Sequence, residues 1–293
     1  MPRYSVFGVT LESDWELPDL GTGTGDVSAR IARGRFPIPP AAGDGLPHWW
    51  ADDERAFILD PSAGSIRIAG GSEILVEPVE PIDWSVLNAW LLGPALAILL
   101  HQRGLLVLHS SVLARDSRAI AILGDCGAGK STTAFLLCQR GWQLVADDQA
   151  VVGWQDGKPL VYPGRPILRM DRETKTWLEA SSRRECGECG GKTFVRPSHA
   201  AMEEIALSHL YVLTDAEQVR SVPLSPQEGF ASLIRHSFVG SLLTSSHSKT
   251  RLFDQCAALA QESPVRRLER PRSLAMLPDL ARAIHDDIER NRF

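Results

Sequence analysis

The eight residues Gly124-Asp125-Cys126-Gly127-Ala128-Gly129-Lys130-Ser131 satisfy G-x-x-x-x-G-K-[ST] at every fixed position. The chemistry that needs this pattern is phosphate binding. Glycines at 124, 127 and 129 permit backbone conformations closed to residues with a Cβ, so successive amides can turn inward onto phosphate oxygens. The Lys130 ammonium then reaches the β- and γ-phosphates, the Ser131 hydroxyl can hold Mg2+, and Thr132 continues into a helix whose positive end faces the anion. The pattern predicts binding of ATP or GTP. It leaves transfer, hydrolysis and sensing equally open.

Transfer requires two more groups: a metal that neutralises the phosphates and a base that takes the acceptor's proton. Asp147-Asp148 follow the apolar run Leu144-Val145-Ala146, seventeen residues after Lys130. The carboxyl ends of strands in an open α/β sheet line the ligand crevice, so one carboxylate can bind Mg2+ and the other can act as base. His109 closes another apolar run and precedes Ser110-Ser111. A histidine there can assist a carboxylate base near neutral pH.

These groups need a scaffold, and the pattern along the chain supplies one. Residues 105–108 and 119–123 read as strands, the second feeding the glycine-rich loop, and a helix runs from Lys130 to about Arg140 before Gly141. The strand 144–146 delivers the acidic pair. A hairpin follows, with 150–154 and 160–162 flanking Gln155-Asp156-Gly157-Lys158. Further on lie a strand at 207–213, helices within 226–262, a strand at 265–268 and a terminal helix. Upstream, the runs 4–11, 27–32, 56–59, 65–68 and 73–76 predict a small antiparallel layer over 1–80, and 82–102 turns helical. Two parts are expected: a β-rich N-terminal layer, 1–80, and an α/β phosphate-loop domain, 81–293.

Composition narrows the classes. A net charge of −5 with 31 Lys and Arg spread along 293 residues offers no basic block for a nucleic-acid backbone. The N-terminus lacks the apolar run of a signal peptide, and the apolar stretch 89–100 is too short to span a membrane, so a cytoplasmic protein is expected, without nucleic-acid or membrane partner. Five cysteines in a chain of this length suggest reduced thiols. Cys186-Gly187-Glu188-Cys189 has the spacing of half a zinc site, but no second half follows it, and 181–191 reads as a polar loop. Lys192, Arg165, Arg169 and Arg235 are candidate cations for the transferred charge.

Taken together, Leu108-His109-Ser110-Ser111, the loop Gly124 to Ser131 with Thr132-Thr133, and Arg140-Gly141-Trp142-Gln143-Leu144-Val145-Ala146-Asp147-Asp148 resemble the catalytic core of HPr kinase/phosphorylase in order and spacing. The resemblance implies a phosphate-loop core of the HPr kinase and phosphoenolpyruvate carboxykinase type, using ATP and Mg2+. Carried over, His109 and Asp147 form the base system, Lys130 holds phosphates, and Asp148 with Ser131 holds the metal, with exchange of the two aspartates between these roles left open. Outside 105–165 the resemblance shifts. The opening Tyr4 to Leu11, Tyr162-Pro163-Gly164-Arg165-Pro166 and Arg235-His236-Ser237-Phe238 look like the HPr-kinase-like proteins of ribosomal-peptide clusters, lasso-peptide kinases among them. The segment that supports phosphorylase activity in HPr kinases is not found. The expected activity is phosphorylation of a serine on a peptide or small protein, with the C-terminal serine of a lasso-type precursor peptide as the acceptor the resemblance implies, in a chain that can be a homo-oligomer. The alternatives are a nucleotide sensor without transfer and a small-molecule kinase.

Overall fold

The computed structural model describes residues 1–38, 48–51, 54–171, 184–189, 192–243 and 245–290. The chain forms two compact units, one of residues 1–107 with 237–255, the other of 108–236 with 256–293.

The first unit is built on an eight-stranded sheet. Its opening run is a hairpin rather than the single strand expected over 4–11: Arg3–Val6 and Val9–Ser13 pair with Val6 opposite Val9. The two residues between them, Phe7 and Gly8, both have positive φ, 52° and 72°. That is the two-residue turn whose twist matches the strands it joins. Nor is the layer purely antiparallel, because Ala29–Arg33 lies parallel to both Val9–Ser13 and Glu73–Pro78. The strands Arg55–Asp60, Gly64–Ala69 and Glu73–Pro78 complete a meander. Ile66, Ile68, Ile74 and Val76 alternate inward and are fully buried. Each contributes roughly 1.5–3 kcal/mol of transfer free energy, so a one-residue slip that exposed them is excluded.

The helical stretch Trp84–Gln102 also belongs here. It begins on Asp83, whose carboxylate accepts from the amides of Ser85 and Val86. Pro94 and a non-helical Gly93 then break it into Trp84–Trp90 and Leu96–Gln102 around a π-segment, Leu91–Ala95. By length and composition the stretch could cross a membrane, with mean hydropathy 1.4. Its apolar residues Leu91, Leu92 and 96–100 are instead buried in the folded chain.

The second unit carries the phosphate loop. Arg118–Leu123 lies parallel to Ile205–Asp215, which lies parallel to Val265–Arg270. A strand absent from the sequence expectation, Ser110–Arg115, pairs antiparallel with Arg118–Leu123. Asp116 and Ser117 turn the chain between them at φ 51° and 62°. Gln143–Ala146 pairs with the other edge of Ser110–Arg115. The hairpin Ala150–Gln155 and Lys158–Tyr162 turns on Asp156-Gly157 as expected. The expected loop 181–191 contains a strand, Arg184–Cys189, paired with Lys192–Arg196 in a three-stranded sheet with Leu168–Asp171. Residues 181–183 and 190–191 lie outside the described residues. Phe135, Leu137, Trp142, Tyr211, Leu268, Leu280 and Ile284 form the core beneath helices Lys130–Gln139 and Leu277–Arg290.

Candidate active site

The loop sits where the sequence puts it, between Arg118–Leu123 and the helix Lys130–Gln139. Gly129 caps that helix at φ 90° and Gly127 lies at φ 75°, conformations that residues with a Cβ rarely adopt. The first amides of Lys130–Gln139 have no intrahelical acceptor and face an open cavity of about 460 Å3. Cys126, Gly127, Gly129, Lys130, Ser131 and Thr132 line it, together with His109, Asp147 and Asp148. Asp125 and Ala128 face a second cavity on the other side of the loop.

Lys130 is 7% exposed. Its Nζ donates to the carbonyls of Gly124 (2.8 Å) and Asp125 (3.1 Å) and stands 3.0 Å from His109 Nε2. Burial holds its pKa below the usual lysine value, partly offset by the carboxylates of Asp147 and Asp148.

The two aspartates diverge. Asp148 has φ 71°, and the turn of backbone there sends adjacent side chains to different partners. Asp147 is 5% exposed. Its Oδ1 accepts from Ser111 Oγ (2.5 Å) and Ser131 Oγ (3.1 Å), and its Oδ2 from the Arg169 amide (3.0 Å). Burial pushes its pKa up, against the pull of the Ser111 and Arg169 donors. Asp148 Oδ1 lies 3.3 Å from His109 Nδ1, and its Oδ2 lies 3.5 Å from Arg169 Nη1. The pairing expected from the resemblance, Asp147 with His109 and Asp148 with Ser131, is therefore the reverse of the contacts made. Imidazole geometry fixes the tautomer. Nδ1 faces two acceptors, Asp148 Oδ1 and the Asp148 carbonyl at 2.9 Å, and so carries the proton, while Nε2 faces the Lys130 donor.

Ser131 Oγ and Asp147 Oδ1 are hard oxygen donors side by side at the helix start, a set that suits Mg2+ completed by phosphates and water. Among the described residues no cluster of three or more His, Cys, Asp or Glu forms a metal cage. The side chains of Cys186, Cys189 and Lys192 lie outside the described residues. Of the other candidate cations, Arg169 bridges to the acidic pair, and Arg235 holds the Asp125 carboxylate at 2.7 and 3.2 Å. Sequence reasoning missed Arg270 and Arg272, which donate to the loop carbonyls of Ala128 and Gly127. They lie about 140 residues downstream, and only strand order brings them to the loop. Ser111 was visible beside His109, but its bond to Asp147 was not.

No family model matches the chain. The HPr kinase/phosphorylase of Lacticaseibacillus casei (strain BL23) is 49% identical over 49 residues, 17% of this chain and 15% of that protein. That of Pediococcus pentosaceus is 39% identical over 62 residues, 21% of this chain and 20% of the relative. The chain thus spans a fifth or less of the length of these curated relatives. The structure of the Hpr(Ser) kinase/phosphatase from Coxiella burnetii aligns over 63% of this chain and 97% of that one, at 14% identity and a TM-score of 0.35. At that score the superposition adds nothing to the fold described above.

Proposed function

From the premise that the chain is HPr kinase-like, we propose that it is an ATP- and Mg2+-dependent kinase that phosphorylates a serine hydroxyl on a peptide or small protein. The observation that carries this reading is the His109–Asp148 pair, joined through Lys130 to the phosphate loop. A nucleotide sensor needs the loop and the metal side; a base at its mouth is what transfer adds.

The loop amides and Lys130 hold the triphosphate. Ser131 and Asp147 hold the cation, whose contribution when bound is to neutralise phosphate charge. Entry of the triphosphate draws Lys130 off His109, because an ammonium gains more from phosphate oxygens than from a neutral imidazole. Nε2 is then available to the acceptor. The serine oxygen attacks the γ-phosphorus as the bond to the β–γ bridging oxygen breaks. The serine proton passes to Nε2, Asp148 steadies the imidazolium through Nδ1–H, and ADP leaves with the bridging electrons. This division of roles inverts the one carried over from the family resemblance.

We further propose that the acceptor is a serine of a ribosomally made precursor peptide, in the manner of lasso-peptide kinases, and that the enzyme works in the cytoplasm. What supports this is the likeness of Tyr4 to Leu11 and Arg235 to Phe238 to the HPr-kinase-like proteins of such clusters. The experiment that tests the roles compares Asp148→Asn with Asp147→Asn. Asp148→Asn is expected to keep Mg2+-dependent ATP affinity within about threefold and to lose transfer by about 100-fold or more. Asp147→Asn is expected to lose the Mg2+ dependence of binding. Near-normal transfer by Asp148→Asn would overturn the assignment.

A further inference from the structure

A loop whose amides face a ligand must satisfy its carbonyls elsewhere. Lys130 takes those of Gly124 and Asp125, and Thr133 takes that of Gly129 through both its amide and its hydroxyl, each at 2.9 Å. The carbonyls of Gly127 and Ala128 go to two arginines that flank Pro271. Arg272 Nη2 donates to Gly127 at 2.8 Å, and Arg270 Nη2 donates to Ala128. Both come from the end of Val265–Arg270, with Ile205–Asp215 lying between that strand and the one feeding the loop.

The two arginines differ in their surroundings. The Arg270 side chain is 8% exposed; its Nη1 also donates to the Pro271 carbonyl, and its Nη2 lies 3.0 Å from where a Cβ on Gly129 would stand. It is packed against the loop and held. Arg272 is 66% exposed, touches Gly127 with one nitrogen, has the Asp215 carboxylate 3.9 Å away, and lines both cavities flanking the loop. A guanidinium resting on a neutral carbonyl beside a polyphosphate site exchanges a weak bond for a charge-assisted, bidentate one when phosphate arrives. Pro271, with its fixed φ, keeps the exposed arginine aimed along the loop.

We infer that Arg272 is the residue that leaves Gly127 for the terminal phosphate of bound nucleotide and carries its charge during transfer, while Arg270 is a positioning residue that keeps the loop in register. This rests on the loop being the nucleotide site.

The test is titration of wild-type protein, Arg272→Ala, Arg272→Lys and Arg270→Lys with Mg2+–ATP and Mg2+–ADP by calorimetry, with thermal melts alongside. Arg272 is exposed, so its variants are expected to melt with the wild type. Arg272→Ala is expected to weaken ATP about tenfold or more and ADP by less than about threefold, with Arg272→Lys recovering part of the ATP preference. Arg270→Lys is expected to weaken both nucleotides alike. If Arg272→Ala binds ATP as the wild type does, or loses ATP and ADP equally, the assignment of Arg272 fails and the nucleotide site stands. If the wild-type protein binds neither nucleotide, both fall.

Discussion

His236 ends the helix Pro226–Arg235 as its C-cap and is 6% exposed. Its backbone carbonyl accepts from the His109 amide at 2.7 Å, so it anchors the His109 backbone. Burial depresses its pKa from the usual 6.5 to about 4; the Asp125 carboxylate opposes the shift and Lys130 adds to it. Charging it inside the fold is therefore unfavourable. In the unfolded chain it takes up a proton near pH 6.5, in the folded chain only near 4, so between those values the unfolded state holds the extra proton. The stability it contributes is fully present above pH 6.5 and is lost as pH falls toward 4. Two and a half pH units at about 1.36 kcal/mol each amount to about 3 kcal/mol. His236→Gln removes this titration. Denaturant unfolding between pH 4 and 8, following the transition that Mg2+–ATP protects, should show the wild type losing about 3 kcal/mol more than the variant across that window. Burial also depresses His209, but that contribution is common to both proteins and cancels in the comparison. Equal pH slopes for the two proteins, or a wild type that gains stability on acidification, would refute the reasoning.

Gly129→Ala places a Cβ 3.0 Å from Arg270 Nη2 at φ 90°, and a left-handed alanine alone costs roughly 1–2 kcal/mol. ATP affinity by calorimetry is expected to fall by about tenfold or more while the helix content of the circular dichroism spectrum is kept. Asp287, 1% exposed, accepts from Tyr211 Oη at 2.9 Å and forms an ion pair with Arg266, whose Nε lies 2.8 Å from Oδ2. Removing it by Asp287→Ala leaves the Arg266 guanidinium, 15% exposed, without its carboxylate, which costs about 3 kcal/mol and should lower the melting temperature by roughly 6–12 °C. Tyr211→Phe, which deletes a donor and leaves the ion pair, should cost only about 1–2 kcal/mol.

Parts of this site were legible because each rests on a local rule. Three glycines ahead of Lys130-Ser131 need no distant partner to be read as a phosphate loop, and Asp156-Gly157 announces its own hairpin. The strand Ser110–Arg115 was hidden because it opens on Ser110 and Ser111, polar residues that interrupt the apolar run. Both are fully buried, and Ser111 spends its hydroxyl on Asp147. Arg184–Cys189 was hidden by its glycine and glutamate content; it is a strand through pairing with Lys192–Arg196, across a register shift at Cys186. Which aspartate faces the histidine depends on one backbone angle, the positive φ of Asp148, and no residue type signals that. Arg270 and Arg272 reach the loop through strand order, which spacing along the chain does not record.

The central claim is transfer of phosphate to a serine hydroxyl. It is tested most directly by incubating the full chain with Mg2+, γ-labelled ATP and serine-bearing candidate acceptors, a ribosomal precursor peptide first among them, then locating the label by mass spectrometry. The account predicts phosphoserine on the peptide in the wild-type reaction and none with Asp148→Asn at equal nucleotide occupancy. Saturating ATP binding with no label on the peptide, or label on serine undiminished in Asp148→Asn, would contradict it.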